Sequence, residues 1–351
     1  IHFGWNRFLH EGRSVDQGFL PIHHGTFCRN GLEIGETSFA TPLMQSILDG
    51  GIQGDDPVIA MVRLTFPNLG DTPIDVSQPI DAMLYKDRDV SGVSRGLSDA
   101  GVPERLLLKG NLVWVAGNPQ YLRMAVDPGE GGVFSESEHG LVYRTTLSPG
   151  VSRVAVLKVV FTGLLQEEEI QALPTKSFER EQDEVRRFWR ERISSGTEIL
   201  TPEPDIDDFY RAHLTHTLIN DDREVGSDRL MGRVSSFHYG NFSNEAIMQI
   251  MELDRRGLHD EARRHLETYL HYQGTVALPG NFTSQDGVFY GSGGYEHGDY
   301  NQHHGWVLWG LAEHYRYTGD RDWLLHIADH LVAGCDWVIR ERAATRRTDR
   351  D

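Results

Sequence analysis

Cysteine is nearly absent: Cys28 and Cys335 are the only two in 351 residues, far apart and in segments of different character. So sparse a supply excludes a disulfide framework and a thiolate metal site, and both thiols read as small buried apolar groups. No apolar run of about 18 residues occurs, which excludes a spanning helix in this stretch, and no membrane partner is expected. Positive charge is also short. Lys and Arg total 34 against 52 Asp and Glu, a formal net charge of −18. Such a field repels a phosphate backbone, so no nucleic acid is expected as a partner. The glycines at 291–294 follow no strand and cannot form a phosphate-cradling loop; no cofactor is expected.

What is present is ordinary globular composition, 39% hydrophobic and 25% charged, in a chain long enough for two domains with separate cores. The chain opens at Ile1 and stops in "ATRRTDRD" without an element to close a core. This is the pattern of a fragment, and the compartment is left undetermined because a leader could have preceded it.

Between Pro57 and Thr162 short β-branched runs alternate with turns: "PVIAMVRLTFPN", "PIDAMLYKD", "RLLLKGNLVWVAG", "QYLRMAV", "GLVYRTTLSPG" and "SRVAVLKVVFTG". Strands at this spacing predict an antiparallel β-sandwich. Upstream, "GLEIGETSFA" reads as another strand pair. After Gly163 the character changes. The segment "LLQEEEIQALPTKSFEREQDEVRRFWRERISSG" is highly charged and places Val185, Phe188, Trp189 and Ile193 on one helical stripe, the pattern of a linker helix lying on a neighbouring domain.

Beyond "TPEPD" the chain reads as helical throughout. Asp205 is the expected N-cap of "IDDFYRAHLTHTLIN"; "NEAIMQIMELDRRG" and "HDEARRHLETYLHYQG" form one helical hairpin, "HHGWVLWGLAEHYRYTG" and "DRDWLLHIADHLVAGCDWVIRER" another. In the last of these Leu324, Ile327, Ala328, Leu331, Cys335 and Val338 mark the expected core side. Gly257 and Gly319, each where one helix stops and the next begins, lie 62 residues apart, with Asp260 and Asp320 placed to cap. That spacing is a repeat unit, and hairpins joined by long loops on one side are what a helical toroid produces.

A sandwich, a charged linker helix and helical hairpins ending in "HYRYTGDRDWL" resemble the six-hairpin glycosidases, the (α/α)6-barrel superfamily of glucoamylase-like, trehalase-like and glucosidase-like enzymes. The likeness runs from Pro57 onward and is strongest in "FHYGNFSNEAIMQIMELDRRGLHDEARRHLETYLHYQG" and "HHGWVLWGLAEHYRYTGDRDWL". It implies a β-sandwich domain over residues 1–165, a linker helix over 166–203 and the first part of an incomplete (α/α)6 toroid over 204–351. The implied activity is a glycoside hydrolase, of inverting course, acting on an oligosaccharide or glycoside as its carbohydrate partner. Six hairpins of this length need roughly 370 residues, and 148 follow Glu203, so one or both catalytic carboxylates would lie beyond Asp351. Where many relatives carry an Arg-Asp pair entering the second helix, this chain reads Ser243-Asn244-Glu245, with Glu245 in the acid's place.

The implied sugar site is built from "SSFHYGNFSNE" and "GNFTSQDGVFYGSGGYEHGDYNQHHG". Glycosidic cleavage uses two carboxyl groups, about 5 Å apart for retention or about 6.5–9.5 Å for inversion. Glu296 and Asp299 share one loop, so a cross-site pair combines Glu245 with Asp299 or Glu296; these three are the candidate catalytic acids. Aromatic faces stack on pyranose rings, which selects Tyr239, Tyr295 and Tyr300 and adds Trp306, although Trp306 and Trp309 at helical spacing also read as core. Asn241, Asn244, His303 and His304 are candidate hydroxyl contacts, Asn244 doubling as an N-cap. The set His238, Glu296, His297, Asp299, His303 and His304 lacks H-E-x-x-H or paired cysteines, so no metal site is expected there. Two other classes fit the same fold: a sugar epimerase or polysaccharide lyase, and a non-catalytic carbohydrate-binding module.

Overall fold

The computed structural model describes residues 10–29, 32–81, 83–84, 102–103, 105–138, 140–161, 165–233, 241–290 and 302–346. The chain divides into two compact units, 1–191 and 192–351.

The first unit is antiparallel β followed by two helices. Its strands are β1 (His10–Asp16), β2 (Leu20–Arg29), β3 (Leu32–Pro42), β4 (Val58–Pro67), β5 (Ile74–Asp81), the two-residue β6 (Met83–Leu84) and β7 (Val102–Pro103), β8 (Leu106–Lys109), β9 (Leu112–Val115), β10 (Asn118–Asp127), β11 (Gly132–Ser137), β12 (Gly140–Leu147) and β13 (Ser152–Val160). Eight of them form one sheet in the order β1-β2-β3-β4-β13-β10-β9-β8, and β11-β12-β5 form a second. "GLEIGETSFA" is not a strand pair: its described residues, 32–40, lie within the single strand β3, which pairs with β2 on one side and β4 on the other.

Alternation explains the layering. In β4, Val62, Leu64 and Phe66 point to one face and join Val76, Phe134, Leu141 and Tyr143 of the smaller sheet in one core. Ile59 and Met61 point to the other face and join a second core. A strand buried on both sides reads as a continuous apolar run, and β13, "SRVAVLKVV", is such a strand. The smaller sheet is buried on one face only, so β12 alternates Leu141, Tyr143 and Leu147 inside with exposed Arg144 and Thr146. Tyr143 bridges the sheets, stacked 5.0 Å from Phe66 and with the tilted ring of Phe134 5.2 Å away; burial pushes its phenol pKa up.

The second face of the large sheet is covered by helices. The charged segment is broken by Pro174 into α1 (Glu167–Ala172) and α2 (Phe178–Ser194), rather than one continuous helix. As the stripe predicts, Val185, Phe188 and Trp189 of α2 pack on this core, with Phe178 edge-on to Phe39 at 5.0 Å. A buried ionic knot sits beneath α2: Glu181, with no accessible surface, accepts from Thr41 at 3.0 Å and pairs with Lys176 at 3.2 Å and Arg180 at 2.8 Å.

The second unit holds α3 (Pro204–Ile219), the ribbon β14 (Asp221–Arg223) and β15 (Leu230–Gly232), α4 (Ser243–Arg255), α5 (His259–His271), α6 (His303–Thr318), α7 (Arg321–His326) and α8 (Ala328–Ala344). Several cap assignments differ from expectation. Glu203 is the N-cap of α3, because Pro204 occupies the first helical position, where its missing N–H costs nothing; Asp205 falls in the first turn. Leu258 is the N-cap of α5, with Asp260 in its first turn. Asp320 does cap α7, accepting from the Trp323 amide at 2.9 Å, and Gly319 ends α6 in the left-handed region at φ 62°.

The hairpins α4–α5 and α6–α7–α8 stack in the same orientation. Arg255 bonds Tyr317 and Asp254 bonds His314, 62 and 60 positions apart; Glu267 bonds Trp323 and Gln273 bonds the His330 carbonyl, 56 and 57 apart. One hairpin is therefore the other advanced by one repeat. Asp254 is the polar bolt of this contact: its carboxylate is wholly buried, 2.9 Å from both His314 Nδ1 and His259 Nδ1.

The last predicted helix is two, divided at Ile327, and its buried side is Trp323, Ile327, Gly334, Trp337 and Glu341. Cys335 and Val338, expected inside, are exposed, because no described element covers that face of α8; Cys28 is exposed too. Among the described residues no helix is long and apolar enough to cross a membrane.

Candidate functional site

The parallel stacking brings the N-terminal ends of α4 and α6 together. The N-cap of α4 is Phe242, whose side chain cannot accept a hydrogen bond, and Asn244 is the second residue of the helix, not its cap. The orphan Asn244 amide is instead directed at His303 Nδ1, 3.4 Å away at the head of α6. The His303 ring is fully buried, 6.3 Å from Phe242 and 6.0 Å from Tyr290. Just before α4, Asn241 is buried and accepts from the Tyr269 hydroxyl of α5 at 2.9 Å. Glu245 lies in the first turn of α4 and is half-buried. A carboxylate there sits in the positive end of the helix dipole.

His304 has a different task. Its Nδ1 accepts from the Phe289 amide at 2.9 Å and its Nε2 donates to the Gly334 carbonyl at 3.0 Å, which fixes the tautomer and occupies both ring nitrogens. Burial pushes its pKa down, so the neutral ring is the one that pins the loop to α8. Trp306 packs on the helical core, 5.1 Å from Trp309. Trp309, whose spacing suggested core, is 45% exposed and donates to Glu313 at 3.1 Å.

The stretch 283–289, ahead of α6 in the chain, is clamped by α8. Glu341 accepts from the Thr283 amide and hydroxyl and the Ser284 amide, all within 3.1 Å, and these donors hold its carboxyl below the usual range. Trp337 Nε1 donates to the Ser284 carbonyl at 2.6 Å, and Gly287, at φ 89°, lies so close that a Cβ there would stand 2.3 Å from the Ala333 carbonyl oxygen. Sequence reading did not single out Glu341, because nothing local to its helix marks the Thr283 and Ser284 donors it meets.

Of the sequence candidates, Asn241, Asn244, Glu245, His303, His304 and Trp306 are described, and the first four meet at the paired helix ends. Tyr239, Tyr295, Glu296, Asp299 and Tyr300 lie outside the described residues, as do His238 and His297. Among the described residues no three His, Cys, Asp or Glu side chains gather as a metal site. No family model matches the chain. No curated protein matches it.

Proposed function

We propose that the chain is part of an inverting glycoside hydrolase that binds an oligosaccharide or glycoside over the N-terminal ends of α4 and α6. The observation that carries this reading is the pair of hairpins stacked in one orientation about 60 residues apart. Stacking of this kind delivers every second helix end, with its loop, to the same side. Asn241, Glu245 and His303 gather there, and in the sequence Tyr239 and Asp299 directly precede the same two helices. The exposed apolar groups Ile206 and Phe209 on α3, and Val332 and Ile339 on α8, support a ring that continues past both helices.

In this mechanism a carboxylic acid protonates the glycosidic oxygen while a carboxylate across the site activates water. Glu245, with Asp299 or Glu296, lines the sugar subsite; His304 acts as a positioning residue, because its ring nitrogens already serve backbone groups. The test is Glu245→Gln, measured by oligosaccharide titration calorimetry and by release of reducing sugar. Loss of affinity or rate by about tenfold or more, the value of one charge-assisted hydrogen bond, is expected. Unchanged binding and rate would remove Glu245 from the site, an ultraviolet-absorbing unsaturated product would indicate a lyase, and a product of unchanged mass an epimerase. Binding without turnover would mark a carbohydrate-binding module.

A further inference from the structure

Away from the paired helix ends, three side chains converge on Gly232 of the β14–β15 ribbon. Asp221 lies directly opposite Gly232 in the ribbon register. A Cβ placed on Gly232 would stand 3.2 Å from Gln249 Oε1 of α4 and 3.6 Å from His265 Cε1 of α5. The glycine leaves the room in which they meet. His265 is 3% exposed and the Asp221 side chain 8%. Yet among the described residues Asp221 Oδ1, Gln249 Oε1 and His265 Nε2 are all buried without a hydrogen-bond partner. Buried polar atoms are rarely left so, since each costs about 1–3 kcal/mol.

Their orientation narrows what would satisfy them. The Gln249 amide nitrogen donates to the Arg233 carbonyl at 3.3 Å, which fixes the amide with its oxygen as the available end. His265 Nε2 stands 3.2 Å from Asp221 Oδ2, close enough for a hydrogen bond but not aligned for one. Two ligands bound to one tetrahedral ion at about 2.0–2.1 Å stand about 3.3 Å apart, each lone pair aimed at the ion rather than at the other. The observed pair has the dimensions of such an edge.

We propose that Asp221, His265 and Gln249 bind a first-row divalent cation of the zinc class. One imidazole nitrogen, one carboxylate and one amide oxygen form a mixed donor set that suits zinc or cobalt better than calcium, which prefers oxygen alone. The ion ties the ribbon to the α4–α5 hairpin, a joint also made by the Thr268 hydroxyl donating to the Leu230 carbonyl at 2.7 Å and by Arg264 donating to the Asp228 carbonyl at 2.8 Å. It stands independently of the glycosidase reading, and none of its ligands belongs to the sugar subsite.

The experiment is titration of the chelator-stripped protein with zinc chloride by calorimetry, paired with the visible absorption of the cobalt form. One tight equivalent is expected, with a raised melting temperature and a cobalt d–d band of a low-coordinate nitrogen–oxygen site. In His265→Gln and Asp221→Asn that equivalent weakens more than about 100-fold, beyond the loss of an outer-shell partner. Gln249→Leu, at a half-buried position, gives the same direction should the other two fail to fold. Absence of a tight equivalent overturns the proposal, as does a tight equivalent retained in the variants, which would assign it to surface imidazoles. A crystal grown with zinc that shows only solvent between the three atoms overturns it as well.

Discussion

Asp254 shows how much one side chain can hold. Its buried carboxylate serves His314 on the next hairpin and His259 at the head of α5, so removing the charge leaves two imidazole donors short of an acceptor. Asp254→Asn should cost about 3 kcal/mol in chemical denaturation; a loss below about 1 kcal/mol would show that packing alone fixes the hairpins. His304 and Glu341 set the acid limit of the stretch 283–289. The folded His304 pKa lies below the ordinary 6.5 through burial, so the opened state takes a proton that the folded state refuses, and stability falls as pH drops below 6.5. The Glu341 carboxyl, held below 4.5 by Thr283 and Ser284, contributes fully above 4.5 and loses its contribution as pH falls through the folded value. Corrected for its intrinsic pH dependence, hydrogen exchange at the Thr283 and Ser284 amides should therefore accelerate at acid pH. In Glu341→Gln it should already be fast at neutral pH, and protection unchanged from the parent would refute the clamp.

At the scale of elements, α4 and α6 touch because Gly310 has no side chain. A Cβ there would stand 2.7 Å and 2.9 Å from the Ile247 side chain, which is fully buried and has little room to withdraw. Gly310→Ala should cost about 1–3 kcal/mol despite its better helix propensity. Combining it with Ile247→Val should recover part of that loss in a double-mutant cycle, and simple additivity would place the clash elsewhere. Periodicity announced each of these helices, and in the last it placed Ile327 and Leu331 correctly on the core but not Cys335 and Val338. Both stripes of α8 carry apolar residues, and the one chosen by neighbouring elements contains Gly334, Trp337 and Glu341 rather than Cys335 and Val338.

At the scale of the molecule, the two units have separate cores, one set around Phe66, Tyr143 and Leu157 and the other around Ile247, Leu266 and Leu311. Phe66→Ala should cost the first unit about 3–5 kcal/mol. In calorimetry it should lower one transition and leave the other in place. A single transition that shifts as a whole would show that the units unfold together.

The sequence by itself determined the order of strands then helices, the charged segment between them and the repeat marked by Gly257 and Gly319. Each of these is written in local periodicity and turn chemistry, which one segment expresses without help. It also named Asn241, Glu245 and His303, which the stacked hairpins bring to one end. Only the tertiary structure decided that an imidazole meets the Asn244 amide of α4 where Asn244 itself was expected as the cap, that Glu341 grips residues 283–284, and which residues of α8 are buried. Those outcomes depend on partners about 60 positions away, and hydrogen-bond satisfaction between distant segments leaves no local pattern to read.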